Sequence, residues 1–152
     1  MAVLSAVWKY IVVFVLAGIP WAEVALVIPL AILYGMNPLL VGSVALAGNL
    51  ATVYLVIIYF EKFQEWRKRR KKGNSRPSRR HDRAVKLWRK YGLPGLTLSG
   101  PLLIGSHIAA VAAMALGASK QDVFFWSTIS LVLWTVLITA AAAYGIEWLG
   151  WV

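Results

Sequence analysis

The sequence contains no cysteine, which excludes disulfides, thiolate nucleophiles and thiolate-based metal sites. The patterns H-E-x-x-H, G-x-S-x-G and the Walker loop are also missing. His81 sits among cations, a poor place for a metal ion. The sequence therefore predicts no enzyme, no metal and no cofactor. Acidic residues are scarce, six against sixteen Lys and Arg in 152 residues. Only 14% of residues are charged, whereas a soluble domain carries roughly 25%. Ahead of the first apolar stretch stands a lone Lys9, and no small-residue cleavage pattern follows it. That stretch reads as a retained helix rather than a signal peptide.

What is present is apolar: 60% hydrophobic residues and a mean hydropathy of +0.69. The formal net charge of +10 invites a phosphate-binding reading, but its placement argues against a nucleic-acid partner. Fourteen of the sixteen cations lie between Lys62 and Lys90. Elsewhere Lys9 and Lys120 face Glu23, Asp122 and Glu147. The chain is a nearly uncharged body with one cationic loop, which predicts three parts: a membrane half at 1–60, a basic loop at 61–90 and a second membrane half at 91–152.

A helix needs about 20 apolar residues to cross a hydrocarbon core of roughly 30 Å. The stretch 123–146 fits one span. The stretch 24–60 is interrupted by Gly35-Met36-Asn37-Pro38, a strong breaker. It resolves into a span from Pro38 and a short remainder at 21–34 that contains Pro29 and cannot cross. In 91–119 the residues Gly92, Pro94, Gly95, Gly100, Pro101 and Gly105 crowd the first half. Irregular backbone at membrane depth requires protein or water to satisfy it. The expectation is an all-α integral membrane protein with about four transmembrane helices and two re-entrant segments, their breaks at Pro29, Gly100, Pro101 and Gly105. Paired Gly/Pro-interrupted segments in opposite orientation predict an inverted repeat with a site between its halves.

Basic residues in short loops are retained in the cytoplasm. This predicts a multi-pass protein of the cell membrane with a cytoplasmic 61–90 loop and, by counting four spans, cytoplasmic N- and C-termini. Within the loop, Arg67, Lys68, Arg69, Arg70, Lys71 and Lys72 extend the preceding helix. Further on, Ala84, Leu87, Trp88 and Tyr91 recur at helical spacing among Arg83, Lys86, Arg89 and Lys90. This amphipathic pattern suits an anionic lipid surface, with a plain topology anchor as the simpler reading.

Three polar residues in apolar surroundings are candidates for transport or proton coupling. Glu23 is one, because an ionisable group at membrane depth is costly and by default functional; a solvated place at the outer interface is its alternative. His107 can exchange protons near neutral pH, or simply pack with a hydrogen bond. Asn49, mid-span, lines a cavity or joins two helices. Asn37, Thr97, Ser99 and Ser106 are weaker candidates.

Trp21-Ala22-Glu23, Ile28-Pro29, Gly35, Tyr91-Gly92, the run from Gly100 through Pro101 to Ser106-His107, and Ala115-Leu116-Gly117 resemble the small multidrug export proteins. That family is itself similar, at a distance, to the DedA (VTT-domain) membrane proteins. The resemblance implies two facing re-entrant hairpins, with Glu23 matching the acidic residue of the first. It also implies lipid-carrier translocation, lipid scrambling or proton-dependent envelope homeostasis. DedA proteins carry arginines around the proline of the second hairpin; here Leu98, Ser99, Gly100 and Leu102 stand there.

The preferred expectation is a proton-coupled exporter or lipid translocase. Its partners would be membrane lipids, protons, an unidentified small-molecule or lipid substrate and a second copy of the chain. The alternatives are a scaffold whose cationic loop docks a partner or anionic lipid, and a four-helix drug/proton antiporter.

Overall fold

The computed structural model describes residues 2–60, 62 and 79–148. They form six α-helices and no strand: α1 (Ala2–Ala17), α2 (Glu23–Leu33), α3 (Pro38–Ile58), α4 (Arg79–Leu103), α5 (Ser106–Ala115) and α6 (Lys120–Trp148). The cationic run Arg67 to Lys72 lies outside the described residues.

Two helices have the length and apolarity to cross a bilayer, Pro38–Ile58 with mean hydropathy 2.0 and Lys120–Gly145 with 1.9. At 1.5 Å per residue the 21 residues of α3 extend about 31 Å, the thickness of a hydrocarbon core. α1 and α5, with 16 and 10 residues, fall short. The expected count of about four spans is thus corrected to two spanning-length helices among the described residues. The outward surface is apolar too: Leu39, Leu55, Phe125, Val136 and Leu137 are all exposed. Such a surface suits lipid rather than water.

Helix directions follow from side-chain pairings. Tyr54 hydrogen-bonds Thr128, and Gly42 faces Thr139, so α3 and α6 are antiparallel. Phe14 lies against Gly48, and Gly18 against Thr52; α1 therefore runs parallel to α3 and ends beside its middle. After a tight reversal at 18–22, α2 returns along α3. The chain reverses again at 34–37, where the Asn37 side chain accepts from the amides of Leu39 and Leu40 and Pro38 opens α3. That is an N-cap followed by a proline at the first helical position. The breaker seen in the sequence thus has a defined chemistry, and Asn37 is a cap.

The second unit resembles the first. Gly92 bends α4 (φ 65°, ψ −159°). Its limb 93–103 runs alongside α6, with Ser130 Oγ donating to Thr97 O and Trp134 Nε1 to Leu98 O. The chain then turns at Ile104 and Gly105 (φ 98°) into α5. Two apolar cores result. One joins Val13, Ala17, Val27, Ile28 and Ala31 to Val41 and Ala45, in the first half of α3. The other joins Leu96, Ile104, Ala109 and Ala113 to Val53 and Ile57, in the second half of α3. The hairpins α1–α2 and α4–α5 therefore occupy opposite ends of the α3–α6 pair, tip to tip.

This geometry moves several expected features. Pro29 lies inside continuous α2, and the first break falls upstream of it, at 18–22. Gly100 and Pro101 are helical; Gly100 instead packs closely on Ala109. Of the four expected breaks only Gly105 is one. Because α1 parallels α3 and α6 opposes it, the described N- and C-terminal ends both sit at the Pro38 end. The basic loop leaves from the Ile58 end. If that loop is cytoplasmic, both termini lie on the other side, contrary to the expectation. The reason is that α1 and α5 each run along only half of α3 instead of its whole length, which removes two of the four expected crossings.

Candidate functional site

Where the two tips meet, the structure gathers polar side chains. Glu23 opens α2 with φ 36°, the sole positive φ among described non-glycine residues. Such a backbone is strained and persists only when its surroundings hold it. Here the holding groups are visible. The carboxylate is 5% exposed and accepts from the backbone N–H of Ser106, at 2.8 Å to Oε1 and 3.1 Å to Oε2. Ser106 is the first residue of α5, and Gly105 before it offers no side-chain cap. Glu23 thus caps a helix on the opposite hairpin, satisfying an otherwise orphan amide and meeting the positive end of the helix dipole.

Glycine at 105 is required twice over. Its φ of 98° is left-handed, and an added Cβ would lie 3.0 Å from Glu23 Oε1 and 3.6 Å from Pro20 O. The tips could not approach as closely with any other residue there.

His107 extends the cluster. Nδ1 lies 3.3 Å from Glu23 Oε1 and 3.2 Å from Ser106 Oγ, and Nε2 lies 2.9 Å from Thr52 Oγ1. Ser106 Oγ donates to Asn49 Oδ1 at 3.2 Å. Thr52 Oγ1 reaches the carbonyls of Gly48 and Asn49. Asn49 and His107 are 0% and 4% exposed. Asn49 Nδ2 has no hydrogen-bond partner.

The roles of the two ring nitrogens follow from the tautomer of His107. With the Thr52 hydroxyl donating to a backbone carbonyl, Nε2 of His107 donates to Thr52, and Nδ1 and Oε1 are then placed to share one added proton. Placed on nitrogen it makes an imidazolium–carboxylate pair; placed on oxygen it makes a neutral acid and imidazole. The same heavy atoms serve both.

Glu23, His107 and Asn49 are therefore brought together, with Ser106 beside them. Thr52 joins them although the sequence reading passed over it; its signal was the spacing of three residues after Asn49 on one helix face. Thr97 and Ser99 are held elsewhere, bonded back to α4 carbonyls. Lys86, Arg89 and Lys90 are exposed on the α4 limb before Gly92, beside half-buried Trp88. Lys90 stacks over Tyr91, 4.9 Å from the ring centre. Among the described residues no group of three or more metal-ligating side chains gathers.

Six described helices, two of them of spanning length, with an apolar outward surface and a buried acid–histidine pair between opposed hairpins, make up a helical protein suited to a membrane. The family described as "Putative small multi-drug export protein" matches residues 23–137, about three quarters of the chain. The chain belongs to that family. No curated protein and no solved structure matches it.

Proposed function

We infer that the chain is a membrane exporter whose transport site is the junction of the two hairpin tips, with proton coupling through Glu23 and His107. The observation that carries this reading is the 3.3 Å approach of Glu23 Oε1 to His107 Nδ1, both residues being buried. A buried pair that accommodates one proton in two positions can change charge when a second proton arrives or leaves. Either change removes or strengthens the cap on Ser106, and so alters how the hairpins hold together.

In this reading the hairpins are re-entrant, dipping from opposite faces, and α1–α2–α3 and α4–α5–α6 are inverted repeats. The supporting features are the parallel placing of α1 with α3 and of the 93–103 limb with α6, and the two facing cores. Inverted repeats with broken helices whose N-termini face a midplane site are a recurrent transporter design. Family membership supports export; the substrate is a small molecule or a lipid. The exposed cations at Lys86, Arg89 and Lys90 suit an anionic headgroup surface, with the loop helix lying on it.

Reconstitution into liposomes tests the proposal. With an imposed pH gradient, efflux of a fluorescent lipophilic cation, or flipping of a fluorescent phospholipid, should depend on the gradient. Glu23→Gln should abolish that dependence. Gradient-dependent flux that survives Glu23→Gln would overturn the coupling role.

A further inference from the structure

A row of buried hydroxyls on α6 is not used by the site just described. Five serines and threonines on these helices bond back to a carbonyl one turn earlier: Ser43 to Leu39, Thr52 to Gly48, Thr97 to Leu93, Ser99 to Gly95 and Thr128 to Phe124. This is the default for a hydroxyl in an apolar helix. Thr135 and Thr139 do not follow it. Their Oγ1 atoms are buried and have no partner, and among the described residues the third such atom is Asn49 Nδ2. Each unsatisfied buried polar group costs roughly 1–3 kcal/mol, and ordered water is the usual small partner.

The three atoms are not scattered. Thr139 Oγ1 lies against Gly42, 2.7 Å from where a Cβ would stand, one turn inside the Pro38 end. Thr135 follows one turn deeper on the same face of α6. Asn49 comes next, accepting from the Ser106 hydroxyl, and the Ser106 N–H is in turn capped by Glu23. Towards the Ile58 end the corresponding groups are paired: Ser130 with Thr97 O, Trp134 with Leu98 O and Tyr54 with Thr128. Among the described residues the fully buried unpaired side-chain atoms thus lie in one half of the depth, and Ser130, Trp134 and Tyr54 are paired in the other.

The geometry points to a hydrated track from the Pro38 end, past Thr139 and Thr135, to Asn49 and the Glu23–His107 pair. Water and protons reach the site along it from the face opposite the basic loop. The bonds of Ser130, Trp134 and Tyr54 seal the loop side. Gly42 gives the track its width beside Thr139. The inference rests on the transport site proposed above and adds the face from which that site is supplied.

The absence of native cysteine makes the track directly testable. Thr139→Cys, Thr135→Cys and Ser130→Cys are near-isosteric and are made singly in the full chain, with Ser75→Cys marking the loop side. A membrane-impermeant thiosulfonate is applied to each face of oriented proteoliposomes in turn. Thiol modification follows access, so Thr139→Cys and Thr135→Cys should react roughly tenfold faster from the face opposite Ser75→Cys than from its own, and Ser130→Cys slowly from both. Adding Gly42→Ala should slow the first two. Equal or absent labelling at 139 and 135, or faster labelling from the loop face, would overturn the track. Should a cysteine variant not insert, Thr139→Val and Thr135→Val give the second reading. A hydrated track predicts slower proton-coupled flux with an intact fold, and unchanged flux contradicts it. Loss of flux in Glu23→Gln with no labelling at 139 would leave the exporter standing and remove only the track.

Discussion

The carboxylate of Glu23, at the start of one hairpin's returning helix, accepts the first amide of Ser106 at 2.8 Å, at the start of the other's. These residues are 83 positions apart in sequence, yet each stands at the first position of a short helix. One bond thereby ties the two halves of the molecule at their common centre, and it is the bond that a change of charge at the site would alter first.

Replacing Glu23 by Gln keeps one acceptor and removes the charge. Losing a charge-assisted cap should lower stability by about 1–2 kcal/mol. Glu23→Ala should cost more, because Ser106 N–H then has no acceptor. Denaturant unfolding in detergent, followed by circular dichroism, gives the order. Equal stability of both variants with the native chain would mean that the bond contributes nothing.

Gly105→Ala and Gly117→Ala separate contact from strain. Both glycines have φ 98°, so alanine should cost each about 1–3 kcal/mol of backbone strain. Only at 105 would the new methyl also press on Glu23 Oε1; at 117 nothing lies within 4 Å. Gly105→Ala should be the more destabilising of the two and should impair flux, while Gly117→Ala leaves flux unchanged. The reverse order would argue against the tip-to-tip contact.

Thr52 and His107 should be energetically coupled. A double-mutant cycle of Thr52→Val with His107→Phe should give an interaction of about 0.5–3 kcal/mol, the range for residues sharing a buried hydrogen-bond network. Additive effects would place His107 outside the network.

Asn37 should matter for stability alone. Asn37→Ala removes the cap on Leu39 and Leu40 and should cost about 1 kcal/mol, with gradient-driven flux kept per folded molecule. A selective loss of flux would give Asn37 a role that its position does not suggest.

The sequence made some of this legible for identifiable reasons. Asn37-Pro38 combines two local start signals that no tertiary contact had to assist. Glu23, Asn49 and His107 stood out because a polar side chain in an apolar run must find a partner, even before the partner is known. The pairing itself was not readable, since it depends on how two hairpins meet. Pro29 was misleading: it suggested a break, but the helix passes through it, and Gly18 with Pro20 makes the reversal instead. The stretch 2–22 has the apolar length of a span, and only its direction relative to α3, fixed by Phe14 at Gly48, shows that it turns halfway. The α6 hydroxyls left no signal, because a threonine bonded to its own helix and one facing another helix look the same in sequence.

The depth of the two tips tests the account most directly. Ile19 and Leu103 lie beside the two reversals and are 41% and 54% exposed, so a nitroxide on Ile19→Cys or Leu103→Cys would face lipid. Oxygen and nickel-chelate accessibility in bilayers should place both probes near the midplane, deeper than probes at Leu39 or Phe125. A headgroup depth for either probe would contradict the meeting of the hairpins inside the membrane.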